Sequence, residues 1–333
     1  MQFNTIVTHE RPHLDEIVAI WLLNRFGEKE FPGISTAKLV FNRTAFEGRS
    51  AEDCERDGVL LLGIGGGRFD EHPTASGGRK ERECAATLVA GALGVNKDKA
   101  LRRILKFARN ADLGGVNQAF DLADVIPLLH RQHPGNPEMA VEWATIALEA
   151  KYREQSDFWA AKEEFERNAK VEEIVGPGGR LLRVATFASD NERMNVFARS
   201  KEGGNAAIVI QQQPSGNVQI FTSKRFELTM NGVACMIRLY EQQASGRIVT
   251  TDLNALAAEG NVPGDDRWYF HHAGQMLLNG SLTARDIPPT RLSLEQIRRI
   301  VRIGINPTSF NEWARQVMPT KQPIRQRSTD QGV

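Results

Sequence analysis

Short apolar runs and helical periodicity alternate along the first 130 residues. Thr5–Thr8 is β-prone, and Glu10-Arg11-Pro12 ends it because proline has no N–H to give a strand ladder. From Asp15 the apolar positions Ile17, Ile20, Trp21 and Leu23 recur at helical spacing as far as Gly27. Lys38–Phe41 and residues 59–62 read as further strands, the second apolar enough to be buried on both faces. Helices are expected over 83–93 and 97–110. This order predicts an α/β fold whose N-terminal part is a mostly parallel sheet with flanking helices.

A long polar helical stretch rich in Glu, Ala and Lys spans about 137–170, and Gly176-Pro177-Gly178-Gly179 marks a turn after it. Beyond the turn, strands at 181–187, 206–211 and 218–221 are separated by Gly, Asn, Pro and Ser, and helices return near 229–243 and 294–303. The organisation expected is a first domain over 1–135, a helical linker over 136–172 and a smaller C-terminal α/β domain over 173–318. The tail over 319–333 is polar without apolar periodicity and is expected to be disordered.

Charge narrows the function classes. Forty-two Lys and Arg against 41 Asp and Glu give a net charge of +1, which excludes a binder relying on bulk charge and leaves a local basic groove open. No apolar run approaches the roughly 20 residues of a membrane helix. The opening Met1-Gln2-Phe3-Asn4 has no basic, secretory-type start. Cys54, Cys84 and Cys235 are odd in number, far apart and outside any CxxC spacing, which argues for a reducing compartment. A cytoplasmic protein with no membrane partner is expected.

Candidate chemistry gathers in three places. His9, His13 and Asp15 stand at i, i+4 and i+6 across a proline turn, at the C-terminal end of the first strand, where open α/β sheets bind ligands. They can converge on one divalent cation, and a mixed nitrogen and oxygen shell suits Mn²⁺, Fe²⁺ or Zn²⁺. The plainer alternative makes the histidines loop residues and Asp15 a helix cap. After the buried strand, Gly63-Ile64-Gly65-Gly66-Gly67 leads into Arg68-Phe69-Asp70-Glu71-His72. Acids and a proline follow these glycines instead of a helix, which disfavours a dinucleotide fingerprint. Asp112 precedes a glycine pair and is either a third acid of the site or part of a helix-ending turn.

Taken together, these pieces resemble the DHH phosphoesterase superfamily, nearest its exonuclease-like branch often labelled metal-dependent protein hydrolase. Pro12-His13-Leu14-Asp15-Glu16 is similar to that branch's Phe-His-x-Asp-Glu opening, and Arg68-Phe69-Asp70-Glu71-His72 to its Arg-(Tyr/Phe)-Asp-His-His run. Glu83-Cys84-Ala85-Ala86-Thr87-Leu88 matches its small-residue helix start. Phe270-His271-His272-Ala273-Gly274 and Asn279-Gly280-Ser281 resemble its glycine-flanked substrate motif. The resemblance implies metal ligation by His9, His13, Asp15, Asp70, Glu71 and Asp112, with one or two ions, most simply Mn²⁺. It also implies a catalytic role for His72 and substrate contacts from His271, His272, Gly274 and Gly280, while Arg68 or Arg11 is a candidate to stabilise charge on the phosphate oxygens, because a guanidinium matches phosphate in a bidentate fork.

Two positions depart from the family pattern. Glu71 stands where the family has a metal-binding histidine, and Gly63 where it has a bridging aspartate. Either Asp70 or Glu71 takes the bridging role, or a single ion binds. The expected function is hydrolysis of a phosphodiester in a nucleotide, a short RNA or a single-stranded DNA end. The alternatives are a non-catalytic nucleotide or nucleic-acid binder and a small phosphoanhydride hydrolase. Oligomerisation is left open, with no heptad pattern to specify it.

Overall fold

The computed structural model describes residues 2–42, 44, 46, 48–72, 82–115, 118–280, 284 and 286–317, so the expected tail lies outside the described residues. The chain is α/β and divides into two compact units, Met1–Trp159 and Ala160–Val333.

The first unit contains β1 (Thr5–Thr8), α1 (Leu14–Phe26), β2 (Lys38–Phe41), α2 (Ala51–Arg56), β3 (Val59–Leu61), α3 (Ala85–Ala92), α4 (Arg102–Asp112) and α5 (Leu122–Gln132). The long helix α6 (Pro137–Asn168) begins in this unit and ends in the next. The three strands form a parallel sheet in the order β2-β1-β3. Alternation along the strands feeds two cores, because successive side chains face opposite sides. Ile6 and Leu60 pack into the main core with α1, α3 and α4, whereas Val7 and Leu61 pack with Ala51, Cys54 and Ile64 on the other face. α1 is buried continuously from Leu14 to Leu23, which explains its apolar composition.

Helix α5 carries His130 in its last turn and ends at His133. Pro127 inside it masks the periodicity, yet Ala123, Ile126 and His130 fall on one buried face. His130 Nε2 lies 3.0 Å from the Pro12 carbonyl and braces the turn after β1.

The second unit adds β4 (Lys170–Val175), β5 (Leu181–Ala188), α7 (Glu192–Arg199), β6 (Ile208–Gln212), β7 (Val218–Thr222), α8 (Asn231–Ala244), α9 (Leu253–Leu256), β8 (Gly260–Val262), β9 (Asp265–His271), β10 (Met276–Asn279), α10 (Leu294–Gly304) and α11 (Pro307–Val317). Its seven strands run β4-β5-β6-β7-β10-β9-β8, antiparallel throughout except for the β5–β6 pair. Val233 and Ile237 of α8 pack with Ile297 and Ile300 of α10 over Ile208, Ile220 and Phe270 of the sheet. Arg238, wholly buried, donates to the carbonyls of Leu256, Ala258, Gly260 and Trp268 and so ties α8 to the segment around β8 and β9.

Candidate metal centre

Strand order locates the site. β1 is central, with β2 on one side and β3 on the other, so the chain reverses direction across the sheet between β1 and β3. Ligands of open α/β sheets bind outside the carboxyl ends of the strands at such a switch point. The turn after β1 delivers His9, His13 and Asp15, and the loop after β3 delivers Asp70, Glu71 and His72. Asp112, the last residue of α4, comes to the same place.

Among the described residues, two groups could hold a cation: Asp15, Glu71 and Asp112, and Asp70, Glu71 and His72. In each group the potential ligand atoms lie within 4.8 Å of one another, and Glu71 belongs to both. Asp15 and Glu71 are only 3% and 2% exposed, respectively, although both are ionisable. Among the described residues, Glu71 Oε2 is buried without a hydrogen-bond partner, a costly state for a carboxylate unless something else meets it.

The electrostatics agree with crowded acids. Burial, then the charges of Glu16, Asp112 and Glu71, push the Asp15 carboxyl well above the usual carboxylate range, against one bond from the Ala85 N–H at the start of α3 (3.2 Å). Burial also raises Glu71; the His72 charge opposes this, and Asp112 and Asp70 add to it. Asp70 differs. Burial raises it, but the Gly66 N–H (2.7 Å), the His72 N–H (3.0 Å) and the His72 imidazole (Nδ1 to Oδ1, 2.9 Å) outweigh burial and hold it below the usual range. Cys84, which precedes α3, is pushed up to about 11 by burial and the Asp15 charge, so it is a neutral thiol.

No family model matches this chain, and neither does any curated protein. Among solved structures, an uncharacterised protein from Helicobacter pylori G27 is similar at 9% identity with a TM-score of 0.22, over 93% of this chain and 100% of that one. Likeness at that level carries no argument.

Glu16 closes the Pro12-His13-Leu14-Asp15-Glu16 motif with no role assigned to it, and it is a further participant. It is buried, and its Oε1 accepts from Thr8 Oγ1 at 3.0 Å and from His9 Nδ1 in a short bond, while Oε2 accepts from the His13 N–H at 2.7 Å. The same carboxyl fills the space beside Gly63, where an added Cβ would stand 2.6 Å from Glu16 Oε1. Gly63 also has φ of +65°, a conformation that a side chain disfavours. The acid at this strand end therefore comes from α1. A buried acid one residue after Asp15, within reach of a strand end, is the signal that could have found it.

The structure sorts the other candidates. His9 is tied to Glu16 and its ring centroid lies 6.1 Å from that of His72, but it joins neither cation group among the described residues. His13 is exposed, caps α1, and with Asp15 and Asp112 lines a cavity of about 270 Å³. Leu14, Ala111, Ala123, Ile126 and Pro127 complete its walls. The Arg68 guanidinium is bonded to both Glu55 oxygens and lies over the Phe31 and Phe69 rings.

In the second unit, His271 and His272 sit at the turn between β9 and β10. The Gly274 N–H donates to His271 Nδ1 at 2.7 Å, and a Cβ on Gly274 would collide with that ring. The His272 carbonyl accepts from Gln275. Gly280 has φ of +74°, and its carbonyl accepts from Gln219 Nε2 at 3.2 Å. Ser281 lies outside the described residues. Trp268 and Phe270, before the histidines, are fully buried, and Tyr269 between them is 41% exposed. Alternation along β9 thus sends two of the three aromatics into the core.

Proposed function

We propose that this chain is a metal-dependent phosphoesterase that hydrolyses a phosphodiester in a nucleotide, a short oligonucleotide or a single-stranded nucleic-acid end. The observation that carries the reading is the convergence of Asp15, Glu71 and Asp112, with the buried Glu71 Oε2 lacking any hydrogen-bond partner among the described residues. The donor set suits a divalent cation such as Mn²⁺: three carboxylates with oxygens within 4.8 Å of one another, and an imidazole beside them. Asp15, Glu71 and Asp112 would hold the ion. When bound, it supplies Lewis acidity toward a phosphoryl oxygen and makes water a competent nucleophile near neutral pH.

The chain's own residues do the rest. Asp70 accepts from the backbone and ring of His72 and so fixes the orientation of the imidazole, whose side chain is 52% exposed. In this reading Nε2 passes a proton to the leaving oxygen, as a positioned imidazole does in general acid catalysis. Asp15 is itself held in place by the Ala85 N–H.

The test is hydrolysis of 5′-labelled short RNA and single-stranded DNA with Mn²⁺ or with EDTA, by wild type and Asp15→Asn. Products that need Mn²⁺ and vanish in the variant are expected. Turnover retained by a folded Asp15→Asn protein rules out the site. Metal-independent binding without turnover would favour the non-catalytic alternative.

A second reading, two cations sharing Glu71 as the bridging carboxylate, is favoured by that residue's membership of both groups. Two Mn²⁺ per chain at equilibrium dialysis, falling together in Glu71→Ala, would select it over a single ion.

A further inference from the structure

The cavity of about 270 Å³ beside the acids has a composition that discriminates between substrates. Asp15 and Asp112 belong both to its wall and to the first cation group, so it adjoins the proposed reaction centre. Among the described residues, the remainder of its lining is Leu14, Ala111, Ala123, Ile126 and Pro127, with His13 the only other polar side chain. No lysine or arginine is among these lining residues. A second phosphate placed there would meet two acids and no cationic side chain of that lining, whereas a flat, uncharged ring would bury apolar surface. Small-molecule sites of this kind pair apolar walls with a few placed polar groups.

One such polar group follows from the backbone. Pro127 stands inside α5 and has no N–H. In an α-helix the N–H at that position would bond the carbonyl of the residue four earlier, which is Ala123. Ala123 and Pro127 both line the cavity, and the Ala123 carbonyl cannot receive the i+4 helical bond that an N–H at position 127 would give. An interior proline normally weakens a helix, and here it coincides with the stretch of α5 that faces the candidate site.

We infer that this cavity receives the nucleobase next to the reacting phosphate, and that the Ala123 carbonyl, denied the i+4 helical bond by Pro127, selects bases bearing an exocyclic amino group. The inference rests on the phosphoesterase reading and adds the substrate class to it. Adenine and cytosine present such an amino group; uracil does not.

Titration calorimetry of the full chain with AMP, CMP, UMP and inorganic pyrophosphate, in the presence of Mn²⁺, tests it. AMP and CMP are expected to bind about three- to tenfold more tightly than UMP, the range of one net hydrogen bond, and pyrophosphate more weakly than AMP. Ala123→Phe, which fills the cavity, should weaken AMP about tenfold or more. Pro127→Ala restores the N–H and should bring AMP and UMP together, a result that a folding defect would not give. Equal affinities for AMP, UMP and pyrophosphate in wild type, or AMP affinity retained in Ala123→Phe, overturn the inference and leave the phosphoesterase reading standing. Adenosine and uridine, added without Mn²⁺ and followed by NMR shifts, separate the two failures. A preference for adenosine that Ala123→Phe removes, in a protein that binds no Mn²⁺, keeps the cavity assignment and sinks the phosphoesterase reading. No nucleoside preference there overturns the cavity assignment as well.

Discussion

Asp15→Asn should make the metal-free protein more stable and the Mn²⁺-treated protein comparatively less so. Two ionised carboxylates no more than 4.8 Å apart repel by about 3 kcal/mol at an effective dielectric near 20. Asp15 faces Glu71 and Asp112 at such distances, with Glu16 adding to the strain. Its elevated proton affinity relieves part of the repulsion, which brings the expected gain from the substitution down to about 1–2 kcal/mol, or roughly 2–8 °C in Tm. The introduced amide oxygen can still accept from the Ala85 N–H, and the amide nitrogen can donate to Glu71 Oε2, which has no partner among the described residues. With free Mn²⁺ at about a hundred times its Kd, wild type should gain about 2.7 kcal/mol. The Asp15→Asn protein, lacking one anionic ligand, should gain much less. The assay is thermal and urea unfolding of both proteins in EDTA and in Mn²⁺. A variant less stable than wild type in EDTA, or an equal Mn²⁺ shift in both proteins, would refute the claim that this cluster is strained for want of a cation.

Two further outcomes follow from other residues. Gly63→Ala combines a disfavoured positive φ with displacement of the buried Glu16 carboxyl, and should cost about 2 kcal/mol in urea unfolding; Gly63→Asp, which adds a second acid beside Glu16 at this strand end, should weaken Mn²⁺ binding in calorimetry instead of improving it. In the second unit, burial pushes Asp265 up to about 6 from the usual 3.8, with the Glu241 charge adding to the effect and the Arg267 N–H and Arg238 charge opposing it. A raised carboxyl leaves the fold unpenalised below pH 3.8 and penalised progressively until about pH 6. Over that window the protein should lose about 3 kcal/mol of stability from this group. Asp265→Asn should flatten this slope, and an unchanged slope between about pH 4 and 6 in the variant would show that Asp265 is not its source.

The fold was readable where one physical signal dominated. The parallel strands β1, β2 and β3 declare themselves by apolar runs, and α1 by its helical spacing and the Gly27 stop. The long α6 shows through helix-forming composition alone. Elements whose stability comes from tertiary packing were not legible. Helix α5 is interrupted by Pro127, α7 is eight residues long, and β8 is a three-residue edge strand that contributes little pattern of its own. In the second unit, the complete burial of Trp268 and Phe270 places both in the core.

The site divides along the same line. Asp15, Asp70, Glu71, His72 and Asp112 were each visible as chemistry near a strand end or a helix terminus, and the switch point between β1 and β3 brings them together. Spacing could not supply the partner of each group. His9 looked equivalent to His13, yet Glu16 binds its Nδ1, whereas His13 stands exposed at the mouth of α1. Gly63 looked like the loss of an acid. In three dimensions the place beside it is filled by the carboxyl of Glu16, which anchors Thr8, His9 and the His13 N–H at once. A side chain at 63 would have to displace this glutamate's carboxyl and take a disfavoured positive φ, so the glycine and the glutamate suit one another. The acid left without a hydrogen-bond partner among the described residues is Glu71, which belongs to both cation groups, and so Glu71→Ala is the variant that tests the proposed one-ion and two-ion readings against each other.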